Sequence, residues 1–136
     1  MKDRITVGDE YIHQFQFQQS DVIGFAEASG DKNPIHLDAE YASKTIFGRT
    51  IVHGFLGGSV FSKVFGTIFP GEGTIYLKQD MAFFKPMFTD EPYRAIFKVS
   101  QVFPEKNRAL ISTVVENGNG EVIISGEALI KHGKIS

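Results

Sequence analysis

The sequence lacks cysteine and tryptophan entirely, and its 136 residues carry a formal net charge of only −2. The absence of cysteine excludes disulfide bonds, thiolate nucleophiles and cysteine-based metal sites. The absence of a basic run argues against a surface that follows nucleic-acid phosphates. The longest apolar stretch, residues 55–69, is interrupted by Lys63. It is also shorter than the roughly 20 residues that span a bilayer.

The composition is that of one globular domain, which we expect to cover residues 1–136. The hydrophobic fraction is 42% and the charged fraction 22%. The first residues have no apolar run of the kind found in signal peptides, so we expect a cytoplasmic protein. Thirteen phenylalanines indicate a core or pocket that is lined with flat apolar rings.

The first third of the chain predicts one strand and two helices. Residues 11–18 alternate between apolar and polar side chains, which is typical of a strand. Ser20 is the expected N-cap of a helix that should stop at Gly30. We expect residues 31–37 to form a loop, because a proline at its centre disfavours helix in the residue before it. Asp38 should cap a second, short helix.

Residues 54–69 predict one long helix that ends at a proline-glycine pair. Its apolar residues cover most of the circumference, which is typical of a buried helix. Gly57, Gly58 and Gly66 would each cost this helix about 1 kcal/mol relative to alanine. We therefore expect other parts of the chain to pack very close to these three positions.

The second half of the chain predicts antiparallel sheet. Alternating patterns run through residues 74–84, 94–100, 109–115 and 122–130, with Val122 expected to face inward. The connections between them are short and rich in turn-forming residues, which favours antiparallel neighbours. The predicted fold class is α+β, with an antiparallel sheet wrapped around the long central buried helix.

Two motifs carry the expected chemistry. Residues 29–36 read Ser-Gly-Asp-Lys-Asn-Pro-Ile-His, and residues 51–54 read Ile-Val-His-Gly. The first motif places Asp31 and His36 on a turn-rich loop that we expect to line a cleft. The second brings Gly54, with its backbone N–H, to the start of the long helix. An acid/base pair beside such a donor can add water to a carbon near a polarised carbonyl, or remove it.

The other polar residues near these motifs have simpler interpretations. Asn33 can tie the loop and orient the pair through its amide. We expect His53 to have a structural hydrogen-bonding role, not a chemical one. The four histidines show no zinc-helix spacing, so we predict no metal site.

The two motifs and the order of elements resemble the hot-dog fold, and more narrowly the MaoC-like (R)-specific enoyl-CoA hydratases. The family's long first motif stands here as residues 25–38, Phe-Ala-Glu-Ala-Ser-Gly-Asp-Lys-Asn-Pro-Ile-His-Leu-Asp. Residues 70–77 also resemble the short hydratases of polyhydroxyalkanoate synthesis. The resemblance implies reversible hydration of trans-2-enoyl-CoA to (R)-3-hydroxyacyl-CoA, without a cofactor, by a homodimer. The carrier of the acyl group, coenzyme A or an acyl-carrier protein, stays open.

The resemblance also implies a role for each residue that matches the family pattern. Asp31 and His36 are the expected catalytic pair, and the Gly54 N–H is the expected donor to the thioester oxygen. On the substrate side, the expected residues are Ser62, Phe55 and Asn33. Phe55 stands where the family more often has methionine, beside the expected acyl pocket, and we expect short acyl chains.

Two other functions remain as alternatives. Hot-dog thioesterases are expected to carry a Glu or Asp on the central helix, and residues 55–69 contain neither. A non-catalytic subunit that only binds acyl thioesters would be expected to have lost Asp31 or His36, and both are present.

Overall fold

The computed structural model describes residues 4–135. The elements of this part of the chain, in order, are β1 (Glu10–Phe15), α1 (Gln19–Ser29), α2 (Pro34–Leu37), α3 (Ala39–Ser43), α4 (Gly54–Thr67), β2 (Ile75–Gln79), β3 (Ala82–Phe83), β4 (Tyr93–Phe103), β5 (Arg108–Asn117) and β6 (Val122–Lys131). A short 3₁₀ turn, Pro104–Lys106, joins β4 to β5. None of the helices in this part of the chain is both long and apolar enough to cross a membrane.

The strands form one antiparallel sheet in the order β1-β4-β5-β6-β2, with β3 also paired to β6. Alternate residues of β4 and β5 are buried, as their sequence patterns predict. Helix α4 packs on this face, where the rings of Phe61 and Phe65 meet the ring of Phe97 edge-on at 5.7 and 5.2 Å. The predicted α+β architecture, a sheet around a buried central helix, is therefore confirmed.

Helix α1 begins earlier than the sequence predicts. Its N-cap is Gln18, not Ser20, because the Asp21 carboxylate accepts the Gln18 N–H at 2.8 Å. This bond satisfies an amide that the first helical turn leaves without a partner. The strand predicted over residues 11–18 correspondingly stops at Phe15. The predicted stop at Gly30 is confirmed, since this residue adopts φ +79°.

The predicted loop over residues 31–37 is correct only for its first part. Pro34–Leu37 forms one helical turn, and the Asn33 side chain caps it by accepting the Ile35 N–H at 3.2 Å. Proline disfavours helix in the residue before it but fits the first position of a helix, where no N–H is needed. Asp38 caps α3 as predicted and accepts the Tyr41 N–H at 3.0 Å.

The single strand predicted over residues 74–84 is in fact two strands. Asp80 interrupts it, because its N–H donates to the Glu127 carbonyl and its carboxylate accepts the Glu127 N–H, both at 3.1 Å. The prediction for the start of β6 is also wrong: Val122 is exposed and Ile123 is buried. A register shift opposite β5 at this point explains the change of face.

Two of the three glycines singled out in α4 lie at close contacts. A Cβ on Gly57 would lie 3.0 Å from the Met87 methyl carbon, and one on Gly58 would lie 2.5 Å from the Met81 sulfur. The prediction is wrong for Gly66, which has no such neighbour within 4 Å. Close packing therefore concentrates in the first half of α4, the half that begins at Gly54.

Candidate active site

Asp31 lies on the turn that follows α1. The left-handed conformation of Gly30 ends the helix, and the Asp31 N–H then donates to the Ser29 hydroxyl at 3.1 Å. One oxygen of the Asp31 carboxylate accepts the Asn33 N–H at 3.3 Å, which closes a small turn. The carboxylate is held on the surface, where it can accept a proton from a bound molecule.

His36 is buried in the short helix α2, whereas the sequence predicts it on a loop. Its Nδ1 lies 2.8 Å from the Ile51 carbonyl oxygen. A carbonyl can only accept, so Nδ1 carries the proton and Nε2 keeps a lone pair. Burial lowers the pKa of His36, the neighbouring His53 lowers it further, and the Ile51 carbonyl and Asp31 act in the opposite direction. The net lowering favours a neutral ring that can accept a proton.

His53 joins this pair from the turn that precedes α4. Its Nε2 donates to the Asp31 backbone carbonyl at 2.9 Å. Its ring stacks on the His36 ring, with 3.8 Å between the centroids and 28° between the planes. The hydrogen-bonding role predicted for His53 is therefore present in the structure. The contact to His36 is not predictable from the sequence, because no pattern relates the two rings.

Gly54, the first residue of α4, follows directly. The first amides of a helix have no partner within it, so the Gly54 N–H is free of helical bonding. A Cβ here would lie 2.9 Å from the Phe83 ring, which only glycine avoids. Gly54 and His53 line a first cavity of about 380 Å³. Its mostly apolar walls also include Phe47, Ile51, Val52, Gly57, Phe83, Phe84, Lys85, Pro86, Met87, Ile123 and Ile124.

Phe55 belongs to a second cavity on the other side of the helix start. This cavity has a volume of about 360 Å³ and lies between α4 and β2. Its walls are Phe55, Gly58, Ser59, Tyr76, Leu77, Lys78, Gln79 and Met81. Phe55 is 69% exposed, and its ring meets the Phe83 ring edge-on at 6.1 Å. Because Phe83 lines the first cavity, this aromatic pair connects the walls of the two.

Ser62 and Asn33 differ in their relation to the pair. Ser62 is exposed on α4, two turns beyond Gly54, and lines neither cavity. The Asn33 N–H donates to the Asp31 carboxylate and its carboxamide oxygen caps α2, the helix that carries His36, so the predicted role of Asn33 in tying the loop is present in the structure. The structure thus assembles Asp31, His36 and the Gly54 amide, and it adds His53, which the sequence analysis had kept out of the chemistry.

The same cluster has the composition of a metal site. Ligand atoms of Asp31, His36 and His53 lie within 4.8 Å of one another. One nitrogen of each ring is already held by a main-chain carbonyl, since His36 Nδ1 donates to Ile51 and His53 Nε2 donates to Asp31. Only the other nitrogen of each ring could bind an ion. The spacing of the histidines in the sequence does not predict this cluster.

Comparison with known proteins identifies the family of this chain. Residues 4–122 match the family described as "MaoC like domain". The chain is 38% identical over 127 residues to a 3-hydroxybutyryl-CoA dehydratase from Methylorubrum extorquens. This alignment covers 93% of this chain and 80% of that protein. It is 36% identical over 127 residues to an (R)-specific enoyl-CoA hydratase from Aeromonas caviae, covering 93% and 95% of the two chains.

Solved structures of related proteins have the same fold as this chain. The structure described as the (R)-hydratase from A. caviae involved in PHA biosynthesis superposes with a TM-score of 0.91 at 36% identity, over 94% of this chain and 97% of that one. The fold is therefore the hot-dog fold that the resemblance implies. The chain belongs to the MaoC-like domain family.

Proposed function

We propose that this protein is a hydro-lyase that catalyses the reversible hydration of trans-2-enoyl-CoA to (R)-3-hydroxyacyl-CoA. The observation that carries this proposal is the cluster of Asp31 and His36, whose carboxylate and ring nitrogen atoms lie within 4.8 Å of each other. The first residue of α4 follows His53 of the same cluster, and the His36 Nε2 keeps its lone pair. Two relatives that are 38% and 36% identical to this chain over 127 residues are named as a 3-hydroxybutyryl-CoA dehydratase and an (R)-specific enoyl-CoA hydratase, which supports the proposal.

In the proposed mechanism one water molecule is held between Asp31 and His36. It attacks C3 of the enoyl group while one of the two side chains accepts its proton, and a proton is delivered to C2. Such acid/base help is worth roughly 10²- to 10⁴-fold in rate. Negative charge develops on the thioester oxygen, where the Gly54 N–H would stabilise it by about 3 kcal/mol. The thioester itself acidifies C2, so the step requires no cofactor.

An assay on crotonyl-CoA separates this function from the alternatives. We expect the enoyl absorbance to fall and the product to be the (R)-3-hydroxyacyl thioester. Release of free thiol would instead identify a thioesterase, and because hydrolysis of the thioester also removes the enoyl-thioester absorbance, the thiol assay makes this distinction. That outcome is disfavoured because Gly54–Thr67 contains no carboxylate. Binding without either signal would identify a non-catalytic subunit. An acyl-carrier-protein substrate, tested in parallel, would decide the carrier.

We further propose that the enzyme is a homodimer joined along β2, in the cytoplasm. Strands β1 and β2 are the edges of the sheet path, and unprotected edges tend to pair. The β2 edge carries three successive exposed apolar residues, Ile75, Tyr76 and Leu77. An apolar strip of this kind marks an interaction surface. A partner at β2 would also cover the second cavity and bring further groups near Ser62 and Phe55.

The dimer can be tested with a pair of matched edge variants. Leu77 on β2 is 41% exposed and Ile12 on β1 is 42% exposed. We expect Leu77→Lys to shift sedimentation from dimer to monomer, because two buried ammonium groups would face each other. Ile12→Lys should leave the dimer intact. A monomeric wild type, or dissociation by the Ile12 variant alone, would contradict the proposed interface.

Short acyl chains are the expected substrates. Each buried CH₂ contributes about 0.8 kcal/mol only while the cavity has room, and aromatic rings fill much of the space near α4. We expect turnover of four-carbon enoyl-CoA to exceed that of eight- and twelve-carbon substrates, and Phe55→Ala to improve the longer ones. Tyr41→Ala, which removes an exposed ring outside both cavities, is the control. Wild-type preference for twelve carbons would refute the short-chain claim, and an unchanged profile would remove Phe55 from the pocket.

A further inference from the structure

His53 is a buried polar side chain that adjoins each part of the proposed site. It is 2% exposed, although it follows directly after an irregular segment. Its neighbour in the chain is Gly54, whose amide would bind the thioester oxygen. Its ring nitrogen holds the main chain of Asp31, and its ring face lies against His36. The imidazole of His53 thus contacts Asp31 and His36, and its main chain leads directly into Gly54.

The hydrogen bond fixes the tautomer of His53. The Asp31 carbonyl accepts at 2.9 Å, so the proton of the ring is on Nε2. Nδ1 is buried and has no hydrogen-bond partner among the described residues. A buried polar atom without a partner is costly, so its retention calls for an explanation. The geometry offers one, since only an imidazole combines the Nε2 donor with a flat face for His36.

We propose that His53 is a positioning residue for the hydration reaction, a role that rests on the function proposed above. Its Nε2–H holds the Asp31 main chain at the start of the catalytic turn, and its ring sets the plane of the His36 ring. Asp31 and His36 can share one water only if both are held in place at once. Displacement of a catalytic group by about 1 Å can cost 100-fold in rate.

Three substitutions separate the hydrogen bond from the ring. His53→Phe keeps the stacking face and removes the donor. His53→Gln places an N–H near the position of Nε2 and removes the ring, whereas His53→Met has a similar length without a donor. Phe25→Leu is the matched control, because the Phe25 ring packs against His53, 4.7 Å between centroids, and makes neither of the two key contacts.

On crotonyl-CoA we expect His53→Phe to lower kcat by roughly 10- to 100-fold with little change in KM. His53→Gln should recover part of this loss, and Phe25→Leu should stay near wild type. If His53→Phe does not fold, as judged by near-ultraviolet circular dichroism, the comparison of Gln with Met decides. A folded Phe variant with wild-type kcat, or a loss confined to KM, would overturn the proposal, as would equal activity of the Gln and Met variants.

The wild-type measurement keeps this result separate from the proposed function. If the wild type does not hydrate crotonyl-CoA, the proposed function itself is wrong. If it does, and Asp31→Asn abolishes the activity while His53→Phe leaves it intact, the function stands and only the role of His53 is refuted.

Discussion

Loss of either Asp31 or His36 is expected to lower kcat by about 10² to 10⁴. Alanine is a poor replacement for His36, because this side chain is buried and its removal would leave a void beside His53. His36→Asn is the better test: its amide nitrogen can still donate to the Ile51 carbonyl, and only Nε2 is lost. Asp31→Asn likewise keeps an oxygen that can accept the Asn33 N–H.

The double variant tests whether the two groups act on one water. If they do, Asp31→Asn combined with His36→Asn should be little worse than either single change. Stopped-flow or steady-state turnover of crotonyl-CoA measures all four enzymes, and circular dichroism confirms that they are folded. Losses that multiply would argue for two independent steps. Retained activity in one single variant would remove that residue from the mechanism.

Much of the site could be read from the sequence because its main parts are local. Asp31 and His36 are five positions apart in the sequence, and the turn-forming residues between them predict a compact loop. Gly54 stands where an apolar pattern of helical period begins. Helix α2, which Asn33 caps, is not predicted by the sequence analysis. Proline disfavours helix in the residue before it, but it is also a good first residue of a helix, so the same residue supports both interpretations.

The rest depends on contacts between distant segments. The stacking of His53 on His36 forms only when the segment before α4 lies against α2. Likewise, no pattern in residues 74–84 shows that Asp80 leaves the strand, because the two bonds that hold it go to Glu127. Among the glycines of α4, Gly58 faces Met81 and Gly66 faces open space. Their sequence surroundings do not distinguish them.

The largest expected effect on stability is at Gly126 in β6, a position far from the acid/base pair in the sequence. A Cβ on this residue would overlap the carbonyl oxygen of Asp80. That oxygen belongs to the main chain, and Asp80 is held by two hydrogen bonds to Glu127. Neither the Asp80 main chain nor β6 can therefore move aside easily to make room for the Cβ. We expect Gly126→Ala to lower the free energy of unfolding by about 3 kcal/mol.

Gly66→Ala is the matched control for this change. Gly66 lies within α4 and has no neighbouring atom within 4 Å of an added Cβ, so alanine there should raise the free energy of unfolding by about 0.5 to 1 kcal/mol. Chemical denaturation should be measured at one protein concentration, because assembly of a dimer shifts apparent stability. Equal stability of the two variants would show that Asp80 moves aside without cost.

Gly126→Ala should also reduce activity in whatever fraction remains folded. The interruption between β2 and β3 at Asp80 is followed by Met81 and, two residues later, Phe83, which pack against Gly58 and Gly54 at the start of α4. A displacement of the chain at Asp80 would therefore disturb the walls of both cavities while Asp31 and His36 keep their own contacts. We expect KM for crotonyl-CoA to rise more than kcat falls, the opposite of the pattern expected for His53→Phe. A variant that is destabilised but has wild-type KM would show that the cavity walls do not depend on the position of Asp80.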